Sequence, residues 1–265
     1  VLITRPATAV ARATAALLLD DGAQVRLFGP EVPSELKARG AFAAVGSPDD
    51  HGLLEAALAQ VHTMVHVGRG FAVEDAADLE AEGVLVLDAA ARAGVQRVVL
   101  LSLPGADPAS DDPLRAAAGR LEAHAAAAPY PSVVVRCGLV DTNATRDALA
   151  SLPGATYDHV EVAPVRLEDI AAGLLAIDEA RSEATQGHVV FHAVGPERLP
   201  LAAYLERVGV LRSDGSVDLV GRVYRPGGVA APLRRAIAGP WVEPTTSRAA
   251  ELWAFAGMTP EPVTA

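Results

Sequence analysis

Three observations predict a doubly wound, parallel α/β sheet with a small C-terminal lobe. Strand and helix signals alternate from the first residue to Gly195. Val95–Leu101 is a continuous apolar run, the pattern of a parallel strand covered on both faces. The length, 265 residues at 51% hydrophobic composition, suits one large core domain with a small addition.

The elements follow in order. Val1–Thr4 reads as a short apolar strand, and Ala7–Asp20 as an Ala-rich helix closed at Asp21-Gly22. Gln24–Phe28 is a second strand ended by Gly29-Pro30, and Ala41–Val45 a third. Leu53–Gln60 is a helix with Leu53, Leu54 and Leu58 on one face, and Asp49 and Asp50 are placed to cap it. Thr63–Val67 is a fourth strand, Glu80–Ala93 a helix closed by Gly94, and Val95–Leu101 the fifth strand. A helix at Pro113–Ala127, a strand at Ser132–Cys137, a helix at Glu168–Ala180 and a strand at His188–His192 continue the rhythm. Crossovers of this length are right-handed and put helices on both faces. Beyond Gly195 the rhythm breaks into prolines, a Pro226-Gly227-Gly228 turn and two tryptophans, Trp241 and Trp253. The expected division is a core domain over 1–195 and a lobe over 196–265, packed on the C-terminal edge of the sheet.

Composition excludes several functions. The net charge is −11 and the isoelectric point about 5.1, which disfavours a phosphate-binding surface and hence nucleic acid. Aromatic residues at 4% leave little for base stacking. Cys137 is the only cysteine, so neither an internal disulfide nor a cysteine zinc site is expected. No apolar run reaches the roughly 18 residues of a membrane span. The opening VLITRPATAV has no basic region followed by an apolar one, so no signal peptide is read there and a cytoplasmic location is expected.

Several stretches resemble the extended and atypical short-chain dehydrogenases/reductases, including the NAD-dependent epimerase/dehydratase and NmrA-like proteins. The strongest is Leu87–Ser102, which is similar to the family's LLDAARAAGVKRVVYLSS segment. Thr63–Gly68 resembles its DAVVHLAG strand, Val133–Gly138 its TILRPG strand, and Val165–Ala171 its VHVDDVA segment. The resemblance spans residues 1–195 in the family's order and implies a Rossmann-type sheet.

Against that pattern the functional positions are altered. The family's first turn, TGxxGxxG, lets backbone amides approach a pyrophosphate at a helix N-terminus. Here it reads Thr4-Arg5-Pro6-Ala7-Thr8-Ala9-Val10-Ala11, with Arg5, Thr8 and Ala11 in place of the glycines. Pro6 removes an amide donor. Arg5 reads either as a guanidinium for an anion or as a drifted surface loop. Arg26 lies inside the second strand rather than at its tip, and Ser47 stands where the third strand often ends in Asp. If a nucleotide binds, Thr4, Arg5, Thr8, Ser47 and Gly68 are its candidate contacts. The family's catalytic set is a Ser or Thr after the fifth strand and Tyr-x-x-x-Lys on the next helix. Ser102 is retained, Ala116 replaces Tyr and Arg120 replaces Lys, which leaves Ser102 and Arg120 as catalytic candidates. Ala116 transfers no proton, and Arg hardly deprotonates. Arg136, Asp141 and Asn143 are candidate substrate contacts.

Other residues weigh less. His66 reads as the family's structural strand histidine, and Cys137 as a buried small hydrophobe. His188 and His192 share a strand face without an acidic partner nearby, and no metal site is predicted. Tyr157, Asp158 and His159 form a polar cluster of unassigned place.

Together these changes predict a degenerate family member, lacking ordinary NAD(P)-dependent redox catalysis and serving as a small-molecule or protein-binding scaffold or sensor. The alternative is an NAD(P)-dependent epimerase, dehydratase or reductase, or a non-redox enzyme with a repurposed crevice. No cofactor is the first expectation, and NAD or NADP the alternative. The expected partner is a small molecule at the C-terminal edge of the sheet, with a protein partner or a second copy of the chain as further classes.

Overall fold

The computed structural model describes residues 1–68, 76–150, 161–180, 185–210 and 250–264. Arg69-Gly70, Tyr157–His159, Pro226-Gly227-Gly228 and Trp241 lie outside the described residues.

The chain runs β1 (Leu2–Thr4), α1 (Ala9–Asp20), β2 (Arg26–Gly29), α2 (Ser34–Ala38), β3 (Phe42–Val45), α3 (His51–Leu58), β4 (Thr63–His66), α4 (Ala76–Arg92), β5 (Arg97–Ser102), α5 (Pro113–Ala127) and β6 (Ser132–Cys137). It continues through β7 (Val140–Asp141), α6 (Asn143–Ala150), β8 (Glu161–Val162), β9 (Val165–Arg166), α7 (Leu167–Glu179), β10 (His188–Ala193), β11 (Leu199–Pro200), α8 (Leu201–Arg207), β12 (Ala250–Glu251) and α9 (Leu252–Ala256). Eight strands form one sheet in the order β12-β10-β6-β5-β4-β1-β2-β3. Every pairing within it is parallel.

The alternation of side chains along each strand divides the core in two. Ile3, Val65, Val99, Val133 and Val135 face α1 and α7. Leu2, Met64, Val98, Leu100 and Val134 face α3, α4 and α5. All of these strand residues are buried, which is why the strands read as unbroken apolar runs.

Local chemistry sets the helix ends. The Thr8 hydroxyl accepts the Ala11 N–H (3.4 Å) at the start of α1, and Asp50 accepts the Leu53 N–H (3.0 Å) at the start of α3. Asp112 accepts from Leu114 N (2.9 Å) and Arg115 N (3.1 Å), with Pro113 in the first turn of α5. Gly22 and Gly94, past the ends of α1 and α4, take positive φ of 83° and 69°. Gly119 lets α5 approach the preceding loop: a Cβ there would lie 2.4 Å from the backbone of Asp107 and Pro108.

Arg97, buried at the start of β5, closes the other end of the sheet. Its guanidinium donates to the carbonyls of Ile177 (2.7 Å), Asp178 (3.3 Å) and Ala180 (2.8 Å) and to Thr185 Oγ1 (3.1 Å). These are the orphan carbonyls at the C-terminus of α7.

A separate apolar cluster joins Leu139, Leu149, Val162, Leu199, Leu201, Tyr204, Leu205, Val208 and Val263. This smaller unit draws on α6, β8, β11 and α8, so it recruits residues from both sides of position 195. Residues 250–256, which the sequence assigns to the lobe, return to the main sheet: β12 pairs with β10. There Leu252 and Trp253 join the core facing α1 and α7, and Trp253 Nε1 donates to the Val194 carbonyl at 2.8 Å. Among the described residues, no helix is long and apolar enough to cross a membrane.

Candidate functional site

In the strand order, β1 continues to β2 and β3 on one side and to β4, β5 and β6 on the other. Such a reversal opens a crevice beyond the carboxyl ends of the strands, where ligands of doubly wound sheets bind. A cleft of about 260 Å³ lies on the β1–β3 side of it. Thr4, Arg5, Phe28, Gly29, Ser47 and Asp49 form its strand-end wall, and Asp78, Ala81, Glu82, Leu85 and Val86 of α4 the other.

The turn after β1 keeps the backbone path of a glycine turn without the glycine. Arg5 has φ +50°, a left-handed conformation that costs a side-chain-bearing residue roughly 1–2 kcal/mol. The turn is held by Arg5 N–H to the Phe28 carbonyl (2.9 Å) and by the Thr8 N–H and hydroxyl to the Arg5 carbonyl (both 3.0 Å). Thr8 is thereby the cap of α1 and a brace for the turn. The Arg5 guanidinium forms a two-pronged ion pair with Glu82: Nε donates to Oε1 at 2.7 Å, and Nη2 contacts Oε2.

Thr4 is buried and ties β1 to β4. Its hydroxyl accepts the Val67 N–H (3.0 Å) and is hydrogen-bonded to His66 Nδ1 (3.0 Å). Burial pushes the His66 pKa down to about 4; Glu82 opposes that shift and Arg5 adds to it. The histidine is therefore neutral at pH 7, buried in a hydrogen bond that ties β4 to β1. Ser47 is exposed, its hydroxyl donating to Asp49 (3.2 Å). Gly68 is half-buried just beyond β4.

A second constellation sits at the ends of β5 and β6. Ser102 and Arg136 are register partners, and both bond to Glu122 of α5, which is 5% exposed. The Ser102 hydroxyl donates to Glu122 Oε1. Arg136 Nε donates to Oε1 (3.1 Å), and Nη2 to Oε2 (2.6 Å) and to the Ala106 carbonyl (2.9 Å). Ser102 and Arg136, both candidates from the sequence, are thus brought together by a carboxylate that is not among those candidates. Its signal was an acid on the apolar stripe of α5, with Ala118 and Leu121 before it and Ala125 after.

Arg120 is not brought to Ser102. Two residues along a helix differ by about 200°, so Arg120 points away from the face that carries Glu122. It forms an exposed, forked pair with Glu80 of α4 (2.6–3.0 Å), which raises its pKa above the ordinary value. Ala116, in the family's Tyr place, is buried.

Asp141 belongs to a different hydrogen-bonded network. Asp141 accepts Arg146 Nε and Nη2 (both 2.7 Å) and the Tyr204 hydroxyl, which stitches β7 and α6 to α8. Asn143 opens α6 and is exposed. Cys137 is buried, and desolvation pushes its thiol up to about 12. His188 hydrogen-bonds the Ser132 hydroxyl (2.8 Å). Among the described residues, no group of three or more histidine, cysteine or acidic side chains is gathered as a metal site would be.

No family model and no curated protein matches this sequence. Solved structures do match its fold. The crystal structure of Citrobacter sp. triphenylmethane reductase complexed with NADP(H) aligns over 99% of this chain and 96% of its own, with a TM-score of 0.77 and 14% identity. A nucleoside-diphosphate-sugar epimerase from Staphylococcus aureus aligns over 98% and 96%, with a TM-score of 0.73 and 13% identity. MoeE5 in complex with UDP-glucose and NAD aligns over 99% and 93%, with a TM-score of 0.68 and 15% identity. At these identities the likeness is one of fold. The chain shares the Rossmann-type parallel α/β fold of these solved structures.

Proposed function

We propose that this protein binds a nicotinamide dinucleotide along the C-terminal edge of its sheet and acts as a reductase- or epimerase-type enzyme on a small molecule. One observation carries the reading. A cleft opens at the strand-order reversal, walled by the ends of β1, β2 and β3, with the β1 turn in the left-handed path of a dinucleotide turn. Fold relatives whose structures contain NADP(H) or NAD support it. They favour the cofactor-using alternative over the scaffold that the altered motifs first suggest.

The residues fit such a group in part. The cleft between the Phe28-Gly29 end of β2, Ser47 and α4 would take the adenosine half. The Arg5–Glu82 pair lies where its phosphates would approach. The cofactor would supply or accept a hydride. On the protein's side, the Ser102 hydroxyl donates to Glu122, which Arg136 holds in turn, so Ser102 would present its lone pairs to a donor group of a substrate. The C-terminal lobe expected over 196–265 would supply further substrate contacts.

A second reading, a binding scaffold without turnover, is favoured by α5. Ala116 and the solvent-facing Arg120–Glu80 pair leave that helix without a hydroxyl–cation couple. Calorimetric titration with NAD(H) and NADP(H) separates the readings. Saturable micromolar binding of one of them is expected. No binding of any form at millimolar concentration would overturn the proposal and leave the scaffold.

A further inference from the structure

We infer that Arg5 is the anion-binding residue of the cleft and Glu82 its internal competitor, so that a ligand's diphosphate group binds by replacing Glu82 on the guanidinium. This inference rests on the nucleotide-binding reading above and specifies how that site is occupied.

Four observations lead to it. Arg5 stands at the tip of β1, in a turn whose backbone otherwise receives a diphosphate. Pro6 follows it and has no N–H, so the turn is one amide donor short. A guanidinium fork replaces that lost capacity, since it binds carboxylate and phosphate through the same two-pronged geometry. The fork is already engaged in that geometry, but by the protein's own carboxylate.

The pair can be exchanged. Both side chains line the cleft, and they are 23% and 14% exposed, so a ligand reaches them without unfolding a helix. Exchange keeps the number of charge-assisted hydrogen bonds on Arg5 and frees the Glu82 carboxylate from the guanidinium. A diphosphate brings more charge than the carboxylate it displaces, which favours the exchange. Against it stand Asp49 and Asp78, which line the same cleft and repel an anion. Glu82 thus sets the affinity of the site, and Arg5 its selectivity for a diphosphate over a neutral ligand.

The test is titration of the full chain with ADP and with NADH at low ionic strength. It uses the wild type, Glu82→Gln and the double variant Arg5→Ala/Glu82→Gln, with thermal midpoints recorded for each. Glu82→Gln should tighten ADP binding about tenfold, the worth of one charge-assisted hydrogen bond no longer given up to Glu82. The double variant should lose that gain, and added salt should weaken binding to Glu82→Gln. If the wild type binds NADH and Glu82→Gln leaves both affinities unchanged, the competitor role is wrong while the nucleotide site stands. If only Glu82→Gln binds, the competitor role holds and the wild type is not a cofactor-using enzyme. If the double variant keeps the gain, Arg5 is not the anion ligand. If no variant binds ADP or NADH, both the inference and the nucleotide reading fall. A variant whose midpoint collapses is replaced by Glu82→Asp, which keeps the charge but shortens its reach and should tighten ADP by a smaller factor; no tightening there overturns the inference.

Discussion

His66 is buried beside Thr4, within reach of the charges on Arg5 and Glu82. In the unfolded chain its imidazole takes a proton as pH falls through about 6.5, but in the folded protein only near 4. Between those values the unfolded state binds more protons, so stability falls as pH drops across that window and is unaffected by His66 above it. The loss is on the order of 3 kcal/mol by pH 4. Denaturant midpoints measured from pH 7 to pH 4 should fall less steeply in His66→Gln than in the wild type. An equal fall in both would assign the acid sensitivity to other groups. At this scale the sequence showed the residues but not their pairings. Ser102 was legible because it ends a strand of recognisable pattern. Arg5 was legible as a foreign residue in a glycine turn, but its partner Glu82 is 77 positions away, and nothing local links them. Arg120 takes the lysine place by residue type, but the helical phase of α5 turns it to solvent beside Glu80, which no local pattern reveals.

The elements divide by what specifies them. β4, β5 and β6 were legible as apolar runs because both faces of the sheet are covered, and α5 and β6 occupy their predicted ranges. The two-residue strands β7, β8, β9 and β11 were not, since each exists only through its pairing with a distant segment. The same holds for β12, whose place beside β10 depends on α9 burying Leu252. Gly119 shows how tightly one element can be specified. In an exposed helix Gly→Ala stabilises by roughly 1 kcal/mol. Here the new Cβ would meet the Asp107–Pro108 backbone, and a packed backbone yields only at roughly 1–3 kcal/mol. Gly119→Ala should therefore lower the thermal midpoint, and a raised midpoint would show that the loop moves freely.

At the scale of the molecule, the described residues form a sheet with two covered faces and, beside it, a small separate cluster around Tyr204. The Asp141–Arg146–Tyr204 network belongs to that cluster rather than to the sheet. Burial and Asp141 together raise the Tyr204 pKa well above the ordinary tyrosine value, so the phenol remains a donor throughout the accessible range. Tyr204→Phe should cost about 1 kcal/mol. Hydrogen exchange should quicken in α6 and α8 while β5 and β6 keep their protection. Uniform loss across the sheet would mean that the cluster and the sheet open as one unit. The core half of this division was legible from periodicity; the recruitment of residues 139–149 and 161–162 was not, because it depends on long-range packing.

The contact between α1 and α7 has a consequence for how the chain is made. Both helices cover the same face of the sheet, yet one is near the start of the sequence and the other follows residue 166. During synthesis β1, β2 and β4 can align early, but the face that α7 shields stays bare until the ribosome has released it. Closing so long a loop is slow relative to local pairing, and exposed strands invite association with other nascent chains meanwhile. Pulse-labelled refolding should protect the α1 amides no earlier than those of α7. Early protection of α1 alone would show that this face of the sheet forms without waiting for α7.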